Sequence, residues 1–150
     1  NLKILNKKEI KRILNKIKEQ FGIEEIKLDY GMLQNKEGKI FLITKSLNKV
    51  DLSKLRINEL GLYIARYDKE FRLTIEGSQL FGRFAAKNVH EVNEEDAYSW
   101  MSGKDIICNK IYNGFVIIKH KDNYLGTGKW KDNKIINYIP KERRVKPKNF

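Results

Sequence analysis

Apolar side chains at Ile10, Ile13, Leu14, Ile17 and Phe21 recur at three- and four-residue intervals, the spacing of one face of an α-helix. Asn6 stands where a capping residue is wanted, with Glu9 at the third helical position, and Gly22 supplies a left-handed residue at the other end. The opposite face carries Lys7, Lys8, Lys11, Arg12, Lys16 and Lys18 and reads as an ordinary solvated surface. The period then falls to two. Ile26, Leu28 and Tyr30 alternate with polar neighbours as in a half-buried strand, residues 35–38 make a turn, and residues 39–44 supply the partner strand. Residues 46–55 suggest a short helical or turn segment. Residues 61–66 and 71–75 form a second hairpin closed by residues 68–70, and a helix over 78–84 is expected to bury Leu80, Phe81 and Phe84.

The second half repeats this grammar. A strand over 88–92 leads to a helix capped by Asn93 with Asp96 at the third position, carrying Glu94, Glu95 and Asp96 in its first turn and ending at Gly103. Ala97, Trp100 and Met101 face inward from it. An apolar run at 115–118 follows, and then a hairpin: Tyr124 and Leu125 lead through Gly126-Thr127-Gly128 and Trp130 to a polar turn at 131–134. Ile135, Ile136, Tyr138 and Ile139 form the last strand, which Pro140 ends because proline cannot donate to a sheet ladder. Lys141, Arg143, Arg144, Lys146 and Lys148 then make a basic tail.

With 150 residues the chain holds one ordinary domain or two very small ones sharing an interface. A formal charge of +12, from 31 basic and 19 acidic side chains, points to polyanionic partners. The charge is uneven. Residues 76–109 balance at −3, whereas residues 110–150 hold eleven basic and three acidic side chains, a balance of +8. A sheet face carrying Lys119, Lys121, Lys129 and Lys131, flanked by Trp130 and Tyr138, is expected to meet RNA phosphates. The longest apolar runs, 40–43 and 115–118, are far too short to span a bilayer, so a cytoplasmic protein without a membrane partner is expected. A chain beginning at Asn1 implies a lost initiator or trimming.

The order of elements, with Tyr124-Leu125-Gly126-x-Gly128 on a late strand and a helix ending in glycine at residue 103, resembles a PUA domain. Upstream, Gly61-Leu62-Tyr63 and residues 71–78, running into Ala86-Lys87-Asn88-Val89, are similar to small two-domain PUA proteins of large-ribosomal-subunit biogenesis. They are similar also to the C-terminal extension of RNA cytosine-C5 methyltransferases. The likeness covers about residues 40–144, and the pattern of the second PUA strand is poorly kept between residues 104 and 113. It implies an α+β fold, with an N-terminal α/β pre-PUA domain over 1–85 packed on a C-terminal PUA pseudo-barrel over 86–150.

The resemblance implies non-catalytic RNA binding in ribosome biogenesis or in rRNA or tRNA modification. Its late basic residues fall on Lys141, Arg143, Arg144 and Lys146, which join Lys119, Lys121 and Lys129 as the expected RNA contacts. Two other readings stand beside it. One is an adaptor that docks on a ribosome-assembly factor or an RNA-modifying enzyme; the other is a detached targeting subunit of an RNA methyltransferase.

Other chemistry is thin. The single cysteine, Cys108, excludes an internal disulfide and a thiolate-rich zinc site, and it lies in an apolar strand as packing. His90 and His120 have no carboxylate or cysteine at ligand spacing, so no metal or cofactor is expected. No helix start follows Gly126-Thr127-Gly128, which therefore reads as a strand bend and not a phosphate loop.

Overall fold

A computed structural model describes residues 2–28, 30–44 and 61–146; the segment expected over 46–55 and the tail residue Lys148 lie outside the described residues. After a short strand, β1 (Lys3–Ile4), the amphipathic stretch forms α1 (Lys7–Phe21). Asn6 and Glu9 cap it reciprocally, and Gly22, at φ 64°, closes it in the left-handed conformation that glycine adopts without penalty. Its apolar stripe packs on an antiparallel sheet in the order of the chain: β1, β2 (Tyr30–Gln34), β3 (Lys39–Thr44), β4 (Leu62–Tyr67) and β5 (Phe71–Leu73). The strand foreseen from Ile26 begins only at Tyr30, so the alternation at 26 and 28 reflects irregular chain packed beside the helix.

Helix α2 (Ile75–Phe81) follows at once, with Thr74 as its N-cap accepting from the Gly77 amide at 3.0 Å. It starts three residues earlier than the pattern suggested, and a 3₁₀ turn over 82–84 completes it. Phe81 is buried, but Phe84, expected in the core, is 55% exposed because the tighter turn rotates it outward.

The second sheet takes its strands out of sequence: β6 (Val89–Glu91), β8 (Phe115–His120), β9 (Asn123–Lys131), β10 (Lys134–Asn137) and β7 (Ile106–Ile107), in that order. Only the β6–β8 pair is parallel, and α3 (Glu94–Met101), capped by Asn93, follows β6 as expected. The fold class is therefore α+β, with helices and two sheets, the second curled into the half-barrel that a PUA domain requires.

Both faces of this second sheet are covered. On one, Val116, Ile118 and Ile135 pack with Trp100 of α3, whose indole N–H donates to Leu125 O at 2.7 Å. On the other, Ile117 joins the core of the first half, and the Thr127 hydroxyl donates to Leu73 O at 2.8 Å. The expectation of an open basic face on these strands is thus corrected. Strand positions in the middle of the sheet are taken by two cores, and only the ends and edges reach solvent.

Polar contacts tie the halves as well. The amides of Ala86 and Lys87 and the side chain of Asn88 satisfy the last carbonyls of α1, at Phe21 and Gln20. Gln20 Nε2 in turn donates to Asn113 O and Phe115 O at 2.6 and 2.7 Å.

Candidate nucleic-acid interface

The seven cations expected to contact RNA come to lie in three places. Lys119 is the penultimate residue of β8, its Nζ 5.7 Å above the Tyr124 ring, and Lys121 occupies the tight β8–β9 turn at φ 52°. Lys141 and Lys146 are exposed on the arm after Pro140. Among the described residues, none of these four has an ion-pair partner.

The other three are engaged by the fold. Lys129 pairs with Glu70 of the β4–β5 turn, and this hydrogen bond raises its pKa. Arg143 grips Glu76 of α2 with two parallel N–H···O bonds of 2.8 Å, the forked geometry that guanidinium and carboxylate share. That contact holds the Glu76 carboxyl below its ordinary value. Arg144 donates from Nε to Ile139 O at 3.0 Å and lies over Gly103, where any Cβ would stand 2.6 Å from its side chain. Its neighbour Val145 donates a backbone bond to Met101 O, so the first part of the arm is fastened along the end of α3.

Helix α2 separates the two free groups. Its first turn carries Glu76 beside Arg143, and Gly82 beyond its last turn lies beneath the Tyr124 ring, about 9 Å further on at 1.5 Å per residue. Arg83, which sequence reasoning passed over, lines a depression with Gln79, Asn123 and Tyr124 and so joins the Lys119–Lys121 end. Arg72 was passed over too; its guanidinium lies 5.0 Å from the Tyr138 ring across the seam between the halves. No local signal could have found either, because each meets the second half only through tertiary packing.

Cys108 and His90 converge unexpectedly, with Sγ 3.9 Å from Nδ1. The nearer partners of both groups argue against a nucleophile. Cys108 donates its S–H toward Lys110 O at 3.3 Å, and the Tyr112 hydroxyl donates to Val89 O at 3.2 Å. The hydroxyl oxygen also lies 3.0 Å from His90 Nδ1, so that nitrogen has a nearer partner than the thiol at 3.9 Å. Burial, aided by the Lys110 charge, lowers the His90 pKa. A histidine whose folded pKa lies below its unfolded value binds fewer protons when folded, so stability falls as pH drops through the unfolded pKa of about 6.5. Wild-type protein is accordingly expected to show a lower urea midpoint at pH 5.5 than at pH 7.5, and His90→Asn a smaller difference. An equal difference in the two proteins would remove His90 from the explanation. The Glu76 contribution acts in a separate window, present above its unfolded value and lost only as pH falls below it.

Among the described residues there is no group of three or more His, Cys, Asp or Glu placed to hold a metal, and no helix long and apolar enough to cross a membrane.

Residues 87–145 match the family described as the Methyltransferase RsmF PUA domain. Across most of its length the chain is 31% identical to the ribosomal RNA small subunit methyltransferase F of Aeromonas hydrophila over 137 residues, covering 90% of this chain and 28% of that protein. The protein of the same description from Psychromonas ingrahamii is 30% identical over 130 residues, covering 82% of this chain and 26% of the relative. That from Aeromonas salmonicida is 29% identical over 137 residues, with 90% and 28% covered. The chain thus spans little more than a quarter of the length of the relatives it matches.

Proposed function

We propose that this chain, a PUA-domain protein related to the C-terminal extension of RNA cytosine-C5 methyltransferases, holds ribosomal RNA for modification and does no chemistry itself. The observation that carries the reading is a set of cations at the edges of the second half without an ion-pair partner among the described residues: Lys119 and Lys121 at the hairpin tip, Lys141 and Lys146 on the arm. Lysines in such places meet phosphates as mobile point charges and do not select bases. Lys129 and Arg143 take a different part on this reading: they clamp the pre-PUA half, residues 1–85, to the PUA half, residues 86–150, through Glu70 and Glu76. Arg144 positions the arm.

The test is the salt dependence of RNA affinity. Each phosphate contact contributes about 0.7–0.9 to the slope of log K against log salt, so replacing all four free lysines by glutamine is expected to lower the slope by about 3. Affinity should fall for every RNA sequence alike. An unchanged slope would show that the second half does not carry the contacts.

Likeness to ribosomal RNA methyltransferases favours action together with a methyltransferase over a free-standing adaptor. Purification with and without nuclease separates these: partners retained after RNA digestion would favour the adaptor.

A further inference from the structure

We propose that the outer face of α1 is a second phosphate-contact surface, which takes the sugar-phosphate backbone of a folded RNA that extends beyond the PUA half. The proposal rests on the reading above only for the class of partner.

Lys8, Lys11, Arg12 and Lys16 line one shallow concavity with Glu19 and with Tyr67 from β4. Lys16 Nζ lies 4.8 Å over the Tyr67 ring, which fixes the floor of the groove. Among the described residues none of the four cations has an ion-pair partner, whereas Lys3, Arg66, Lys129 and Arg143 each have one. Sequence spacing makes the array self-repelling. Lys8 stands three and four positions before Lys11 and Arg12, and Arg12 four before Lys16, so these neighbours carry like charge, flanked by the carboxylates of Glu9 and Glu19. Lys7 and Lys8 also occupy the first turn, where the helix dipole favours anions. A face shaped for helix stability or solubility would alternate its signs. This one accumulates positive potential that an external polyanion relieves.

The observations select RNA over the other polyanions. An interfacial membrane helix needs a free apolar face, and the apolar stripe of α1 is already spent: Ile13, Ile17 and Phe21 are buried in the core. An acidic protein partner would be expected to meet an apolar anchor at the centre of the contact, and the concavity offers polar and charged side chains and one ring already covered by Lys16. From Lys8 to Lys16 the face runs about 12 Å along the helix, long enough to follow a backbone over successive phosphates.

The experiment compares three full-length proteins: wild type, the α1 variant K8Q/K11Q/R12Q/K16Q, and the variant with the four free lysines of the second half replaced by glutamine. The probe is an RNA stem-loop of about 16 base pairs, the span that one double-stranded RNA module covers. Glutamine keeps helix propensity, so the thermal midpoint of the α1 variant should equal or exceed that of wild type. Its salt slope should fall by about 3, with at least a tenfold loss of affinity at moderate salt. If the α1 variant keeps the wild-type slope while the second-half variant loses it, the inference is overturned and the proposed function stands. If the α1 variant loses slope and the second-half variant does not, the inference stands and the PUA surface has been misassigned. Binding of wild type to phosphatidylglycerol vesicles, abolished in the α1 variant with RNA affinity intact, would overturn the inference in favour of a membrane.

Discussion

Replacing Trp100 with alanine should destabilise the protein by about 3–5 kcal/mol, enough to consume much of the 5–15 kcal/mol that holds a typical domain together. The side chain is fully buried between Val116, Ile118 and Ile135, and its removal leaves a void that sheet and helix cannot both close. Neighbouring backbone makes relaxation harder. Gly128 offers the indole a bare backbone, since a Cβ there would stand 2.4 Å from the far edge of the ring. Trp100→Phe separates volume from hydrogen bonding: it keeps most of the packing but leaves Leu125 O without its donor, a loss of about 1–3 kcal/mol. Urea denaturation followed by near-ultraviolet circular dichroism measures both. A loss under about 1 kcal/mol for the alanine variant would mean that α3 is not the keystone of the second core.

Gly77→Ala is the second large effect. A Cβ at this position would lie 2.0 Å from Ile64 O, a main-chain atom of the inner strand β4, and cannot be accommodated by turning a side chain. Helix α2 must move away from β4, and it takes with it the Ser78 hydroxyl, which accepts the Gly126 amide at 2.9 Å. We expect a cost of about 2–4 kcal/mol, comparable to overpacking a tight core together with a lost buried hydrogen bond. Alanine at the exposed neighbouring position 79 is the control and should stay within about 0.5 kcal/mol of wild type. Equal stability of the two variants would refute the close approach of α2 to β4.

How legible was this in the residues? Local rules carried furthest where a cap or a turn fixes the chain. Asn6 with Glu9, Gly22, and Asn93 with Asp96 each act where their spacing places them, because capping depends on three or four adjacent residues. Trp100 is core, and Gly126-Thr127-Gly128 is strand, with Gly126 at φ 86° over Ile75, as the sequence pattern implied. Contacts over long separations were hidden. Lys129 meets Glu70 and Arg143 meets Glu76 across 59 and 67 residues, so the tail read as a field of free charge although part of it is spent on ion pairs. The same holds for Cys108, His90 and Tyr112, which meet although β6 and β7 lie at opposite edges of the second sheet. On α1 the sequence showed the basic side chains, but that Lys8, Lys11, Arg12 and Lys16 have no ion-pair partner among the described residues emerged only from the fold.

Two isoleucines have changed sides. Ile117 of the second sheet fills the core beneath α1, and Ile75, at the head of α2, fills the core around Trp100. Each half is therefore incomplete as a building block: lifted out alone, it would carry a hole where the borrowed residue sat and an oily knob where its own was lent. Sheets that exchange core residues in this way are held in one fixed relation to each other.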